Sequence, residues 1–429
     1  MSANIQQRSH HRNAIHMRRY DFKPLLSQPI TDAIGLISTI QSYNGTIRNM
    51  EGLHTFLESR LTTNERRTFF EETLPAIVNM AKSWPDKATI DIPLHAGKNN
   101  ELYLSQDQVA SLLANAFLCT FSKRPFNYPT INFDGLYQQS GLRQLAQFEK
   151  LQCILNYFEK RNSTNRNQQQ IRYRRISLAE HQLPYWASMS KTVTTKHIAS
   201  NKRIEDKNHQ RMIQTDFANA FVGGGVLTRG CLQEEIRFIT SPELIAARLF
   251  TEKLQDNEAV IIEGFEEYSA YKGYASRFKF VREPDRSQNT TASYIPLTLT
   301  AIDALNYRDP KSQYEECNIR RDLNKAFSGF YKNAIGEGKQ IVTGNWGCGA
   351  YKGNPQLKSI IQLMAASLND QQLIYSTFGN KQQEQEISKI YTLILNKNLT
   401  IGTLYKLLIT YDHNNKNTDL YTHISRNTM

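Results

Sequence analysis

Apolar positions in the first third of the chain recur at helical spacing. Between Thr31 and Ser42, Ile34, Leu36, Ile37 and Ile40 predict one helix. From Glu65 to Ser83, Phe69, Phe70, Leu74, Ile77 and Val78 predict a second, which Pro75 should kink or divide. A third opens with a capping box, Ser105 followed three positions later by Gln108, and carries Val109, Leu112, Leu113, Ala116 and Phe117 toward Phe121. A fourth is expected from Leu142 to Lys160. It runs into the polar stretch Arg161 to Gln170, whose residues contribute nothing to a core. That stretch predicts a boundary, with a helical accessory region over 1–165 and a second domain over 166–429.

Beyond the boundary the period changes. Short β-rich runs begin at Ile171, Met212, Ala259, Ile295, Gln340 and Gln372, with amphipathic helices between or after several of them. One such helix is expected from Ser241 to Leu254, with Ser241 as cap, Pro242 at the first helical position and Glu243 in the first turn. Strand and helix alternation predicts an α/β fold, a sheet flanked by helices, with ligands bound beyond the carboxyl ends of strands.

Composition narrows the possibilities. The 429 residues are 40% hydrophobic and 21% charged, the profile of a folded chain. No apolar run reaches the roughly 18 residues of a membrane-spanning helix, and the polar, basic N-terminus does not read as a secretory signal. Cys119, Cys153, Cys231, Cys317 and Cys348 are odd in number and form no CxxC pair, so free thiols in a reducing compartment are expected. The ten histidines show no HExxH spacing, and no metal is expected. Lys and Arg exceed Asp and Glu by 52 − 40 = 12. The excess gathers between Arg161 and Arg211, in Arg172, Arg174, Arg175, Lys191, Lys196, Lys202, Arg203, Lys207 and Arg211, and favours a phosphate-rich ligand.

Candidate chemistry centres on Asp216 to Phe238. Gly223, Gly224 and Gly225 remove three successive β-carbons, which permits positive φ and close approach of backbone N–H groups to a ligand. The acid pair Glu234 and Glu235 begins nine positions after Gly225, preceded by Gln233 and flanked by apolar Cys231, Leu232, Ile236 and Phe238. An adjacent glutamate pair is usually a solvated helix face. Here one carboxylate can turn toward the glycine loop, and crowding with partial burial would raise the pKa of at least one member, as a general acid requires.

A second glycine loop spans Gly344 to Gly353, entered by the strand from Gln340 and left by a helix with Asn354 as cap and Pro355 at the first position. Strand, glycine loop and helix N-terminus make an anion cradle. Its spacing matches neither GxxxxGK[ST] nor GxGxxG, which disfavours ATP hydrolysis and nicotinamide redox chemistry. Trp346 and Tyr351 read equally as core aromatics. Tyr274 and Phe378 could stack on a base or pack in the core.

These motifs resemble the eukaryotic poly(ADP-ribose) glycohydrolases, whose catalytic core is a macrodomain. TDFANAFVGGGV, GGG-x7-QEEIRF, YKGYA, AIDAL, TGNWGCGA and TFG occur in that family's order, most closely between Met212 and Asn380. The resemblance implies a macrodomain-like mixed sheet with a helical N-terminal region, and hydrolysis of ribose–ribose O-glycosidic bonds without metal or cofactor. It implies that Glu235 is the acid that then acts as base and that Glu234 orients the ribose. Asp216, Asn219 and Gln233 would be ligand-binding. Gly224 and Gly225, with Gly347, Cys348, Gly349, Ala350 and Tyr351 and nearby Asn345, would bind the diphosphate. Tyr274 would clasp the ligand and Phe378 would pack on adenine or its ribose. Tyr351 stands where relatives commonly have phenylalanine, which keeps the aromatic face.

The partners so implied are poly(ADP-ribose) and ADP-ribosylated proteins, met by a monomer that needs neither DNA nor a membrane, in nucleus or cytoplasm. The long regulatory extension of animal relatives is not expected, so their targeting signals do not carry over. The competing reading is a non-catalytic ADP-ribose-binding module. Net charge alone would allow a nucleic-acid binder, but zinc-finger, RRM and KH signatures are missing.

Overall fold

The predicted capping box forms. Ser105 Oγ accepts the Gln108 N–H at 3.1 Å and Gln108 Oε1 accepts the Ser105 N–H at 2.8 Å. The computed structural model describes residues 29–83, 94–123, 126–138, 141, 144–162, 169–193, 198–282, 296–336, 338–414 and 418–428, and the backbone of 15–16 and 89–90. The basic N-terminal twenty residues apart from that backbone pair, Leu142, residues 163–168 of the polar stretch, Lys196 and Ile295 lie outside the described residues.

From the capping box α1 runs over Gln106–Phe117. It ends before Phe121 because Cys119 adopts left-handed backbone, φ 53°. The first predicted helix spans Ala33–Tyr43, capped by the Asp32 side chain on the Gly35 N–H. The second is continuous over 63–82 through a π-turn, Phe69–Thr73, in which the Leu74 N–H reaches back to Phe69 O. Pro75 lacks an N–H, and the shifted ladder just before it lets the helix continue undivided. α2 spans Gln144–Asn162.

Eight strands form one mixed sheet: β1 (Asn100–Ser105), β2 (Gln170–Ser177), β3 (Ile198–Ser200), β4 (Ile213–Ala218), β5 (Glu258–Phe265), β6 (Leu297–Asp303), β7 (Gln340–Gly344) and β8 (Gln372–Ser376). Their order is β1-β2-β5-β6-β4-β7-β8-β3. Pairings from β1 to β6 are antiparallel, and those from β6 through β4, β7 and β8 to β3 are parallel. The edge strand β1 comes from the helical N-terminal part, so that part contributes to the sheet as well as covering it.

Alternation along β5 shows how both faces are buried. Val260 and Ile262 join one apolar cluster with Phe117, Tyr157 and Phe158 of the helical region. Ala259 and Ile261 join another with Leu357, Ile360 and Ile361. These last belong to α4 (Pro355–Leu368), whose cap is as predicted: Asn354 Oδ1 accepts the Leu357 N–H at 3.0 Å.

α3 spans Gln233–Thr240 and leads into the segment where one helix was expected from Ser241 to Leu254. That segment is instead a 3-10 stretch, Pro242–Ala246, and a single α-turn, Ala247–Phe250. Ser241 closes α3 with its N–H on Arg237 O, and its side chain caps nothing. After Phe250 the chain turns away, drawn by the Leu254 N–H bond to Ala220 O at 2.8 Å. Among the described residues no helix is long and apolar enough to cross a membrane.

Candidate active site

The carboxyl end of β4 lies at the middle of the sheet, flanked by parallel β6 and β7. Asp216 is on this strand, wholly buried, and among the described residues neither of its carboxyl oxygens has a hydrogen-bond partner. Burial first, then the charge of Glu235, pushes its pKa well above the ordinary carboxylate range.

The loop that follows wraps around the start of α3. Glu234 Oε2 accepts the Asn219 N–H at 2.9 Å and its Oε1 accepts the Gly223 N–H at 2.6 Å. Glu234 is buried, and burial outweighs those two donors, so its pKa is also raised. Glu235 sits at the third helical position and reaches back to its own cap, accepting the Leu232 N–H at 2.8 Å. Its other oxygen accepts the Gly225 N–H at 2.9 Å. The two glutamates therefore divide the loop between them, and of the pair only Glu235 is partly exposed.

Glycine is required where the loop meets these carboxylates. Gly224 adopts φ +45°, and a β-carbon there would lie 2.5 Å from Glu234 Oε2. A β-carbon on Gly230 would lie 2.6 Å from Glu235 Oε1.

Asn219 joins the two glycine loops. Its Nδ2 donates to the Tyr351 hydroxyl at 2.9 Å, and its Oδ1 accepts the Phe221 N–H at 2.9 Å. Gln233 ties β4 to α3 by accepting the Phe217 N–H at 2.9 Å, and its Nε2 donates to Glu205 at 3.3 Å. Asn345 is fixed from β8 and from α5 (Lys381–Asn396): its Oδ1 accepts the Tyr375 hydroxyl at 3.0 Å and Gln383 Nε2 at 2.7 Å. Gly347 takes φ 71° against Ala304, Cys348 bonds its N–H to Asn345 O at 3.0 Å, and Gly349 faces open space. Ala350 is the exposed tip, beside half-buried Tyr351. Trp346 is core: it is fully buried, with its indole N–H on Ile302 O.

The aromatic rim is assembled as well. The rings of Tyr274 and Phe378 are 6.0 Å apart at 58°, and the Arg203 guanidinium lies 5.3 Å from the Phe378 ring. Phe378 is 55% exposed and holds left-handed backbone, φ 52°, so it is not a core residue. Tyr274 is half-buried, and the Ala275 N–H beside it bonds Cys231 O at 3.0 Å, which places this rim next to the glutamate pair.

Several expected basic ligands are otherwise engaged. Arg172 and Arg174 pair with Glu263, Arg175 with Glu258 in full burial, and Lys191 with Asp370. Of the basic stretch, Arg203 is the member seen against the rim. Two buried cations that the sequence did not announce hold the first glycine loop from behind. Arg248 donates to Val222 O and Gly224 O at 3.2 and 2.9 Å. Lys150 of α2 donates to carbonyls between Gly225 and Gly230. Isolated basic residues in amphipathic helices carry no signal of such a role. Among the described residues no three His, Cys, Asp or Glu side chains cluster to hold a metal.

Comparison with known proteins identifies the family. The family model described as poly(ADP-ribose) glycohydrolase, Macro domain fold, matches residues 183–385, and the helical-domain model of the same description matches residues 61–175. Poly(ADP-ribose) glycohydrolase 2 of Caenorhabditis elegans is 30% identical over 351 residues, covering 79% of this chain and 70% of that protein. The chain belongs to the poly(ADP-ribose) glycohydrolase family. Poly(ADP-ribose) glycohydrolase 1 of Arabidopsis thaliana is 28% identical over 436 residues, covering 81% of this chain and 79% of that one. The chain thus has the family's macro-domain fold preceded by its helical domain, with β1 and most of β2 falling in the helical match. In this glycohydrolase-family chain the candidate site falls within the macro-domain match, while Lys150 comes from the helical match.

Proposed function

We propose that the chain hydrolyses the ribose–ribose O-glycosidic bonds of poly(ADP-ribose), releasing mainly ADP-ribose. The observation that carries this reading is the difference in exposure at the start of α3: each glutamate accepts two backbone N–H groups, but Glu234 does so in burial while Glu235 is partly open. Glu235 protonates the departing ribose 2′-oxygen as the glycosidic bond breaks. As carboxylate it then takes a proton from the water that attacks the oxocarbenium-like carbon. Ordinary glycosidases set two carboxylates about 5 Å or more apart across the bond. Glu234 is buried with each oxygen on a loop N–H, whereas Glu235 is partly exposed, which favours one glutamate acting twice.

The remaining roles are those the family resemblance implies, and the assembly of these residues around the two glycine loops supports them. Asp216, Asn219 and Gln233 surround the ribose being cleaved, and the unpartnered Asp216 carboxyl offers an acceptor for a ribose hydroxyl. Gly224, Gly225 and the loop from Gly347 through Cys348, Gly349 and Ala350 to Tyr351, with Asn345 at its entry, hold the diphosphate. Tyr274 and Phe378 bracket the adenosine end. We assign residues 1–165 to a helical accessory region and 166–429 to the catalytic region, acting as a monomer on ADP-ribosylated proteins in nucleus or cytoplasm. Incubation of the purified chain with poly(ADP-ribose) in EDTA, with chromatographic separation of products, tests this. ADP-ribose release is expected. A folded chain that binds ADP-ribose and releases none would be a binding module.

A further inference from the structure

Glu235 is held by the glycine loop, and the loop is held by a lysine from the other part of the chain. Lys150 lies midway along α2 and is fully buried. Its Nζ donates to Val226 O at 3.0 Å and Thr228 O at 3.2 Å, with Gly225 O at 3.4 Å and Gly230 O completing the cage. Three ammonium hydrogens thus serve four backbone carbonyls, an environment suited to a dehydrated monovalent cation.

Such burial is a poor way to gain stability. Desolvation pushes the Lys150 pKa down to about 8; the Glu235 carboxylate favours the ammonium, and the Arg248 charge adds to the lowering. An apolar side chain of similar length would avoid that desolvation but leave the four carbonyls without their donor. The caged segment instead has a second face. Gly225 turns its carbonyl to Lys150 and its N–H to Glu235 Oε1, and a β-carbon on Gly230 would lie 2.6 Å from the same carboxylate oxygen. Arg248 fixes the preceding carbonyls, Val222 and Gly224, so Lys150 governs the segment that begins with Gly225, whose N–H bonds Glu235.

We propose that Lys150 is a positioning residue, whose ammonium gathers the carbonyls of 225–230 and so fixes the backbone that aims the Glu235 carboxylate. The inference rests on the reading of Glu235 as acid and base. It gives the helical region a part in catalysis: without α2 the glycine loop has no cation at its centre.

The test compares Lys150→Met, Lys150→Ala, Glu235→Gln and the Lys150→Met/Glu235→Gln pair in the full chain, measuring kcat, KM, ADP-ribose affinity and melting temperature. Lys150→Met should lower kcat about 10²-fold, the scale of a small misplacement of a catalytic group, with a far smaller change in ADP-ribose affinity. It should add little to the loss in Glu235→Gln. Ammonium or ethylammonium should restore part of the kcat of Lys150→Ala by entering the carbonyl cage, and tetramethylammonium at equal ionic strength should not. Normal kcat in a folded Lys150→Met, restoration of melting temperature without kcat, or loss of the fold in both variants would each overturn the proposal. If Glu235→Gln itself turns over normally, the acid–base reading fails first; if it is inactive while Lys150→Met is normal, only Lys150 loses its role.

Discussion

Gly224 and Glu235 meet with no room for a methyl group between them: a β-carbon on Gly224 would lie 2.6 Å from Glu235 Oε1. At φ +45° an L side chain is already strained there, so alanine adds a local clash to a backbone cost of about 1 kcal/mol. Gly224→Ala should therefore move the carboxylates or the loop and lower kcat/KM by about 10²-fold. Steady-state kinetics beside a melting curve provide the check. Wild-type kcat/KM in the variant would show that the loop and the chemistry are separate.

Asp216 ties the site to a pH-dependent cost. Its folded pKa is raised by burial, so its favourable contribution is fully present below the unfolded carboxylate pKa of about 3.9 and is lost as pH rises through the folded value. Asp216→Asn removes the ionisable group. It should melt higher than wild type at pH 8, with the gap shrinking toward pH 4, while losing affinity for ADP-ribose. A melting gap that grows as the pH falls would contradict the sign.

Tyr274 and Phe378 should separate ligand binding from stability. Truncation of Phe378 to alanine, exposed as it is, should leave the melting temperature nearly unchanged and weaken ADP-ribose roughly 5- to 150-fold, the equivalent of about 1–3 kcal/mol of stacking. Tyr274→Ala should show the same loss with a modest fall in stability, since the ring is half-buried. Calorimetric titration decides. Full affinity in a folded Phe378→Ala would remove that ring from the ligand.

Much of this was legible in the chain because local signals and tertiary structure agree. The Ser105–Gln108 capping box, the Asn354 and Pro355 helix start and the runs that became β2, β4, β5, β6, β7 and β8 each carry their own local signal. β1 and β3 do not: as edge strands, Asn100–Ser105 and Ile198–Ser200 bury little. The sequence also pointed to the glycine loop and the QEE triplet. It could not point to Lys150, which lies 75 positions before Gly225 and looks like any helical lysine until α2 docks. Ser241 misled for a related reason: a serine before proline reads as a cap, yet its backbone was already used to end α3.

In the proposed mechanism Glu235 moves the proton in both halves of the reaction, and Glu235→Gln tests this most directly. The amide keeps the size of the side chain and can still meet the loop, but it cannot deliver a proton. With poly(ADP-ribose) as substrate, turnover should fall by at least roughly 10²-fold, the lower bound for loss of a general acid, while ADP-ribose still binds in calorimetry. A purified, folded Glu235→Gln that releases ADP-ribose at near the wild-type rate would contradict the account.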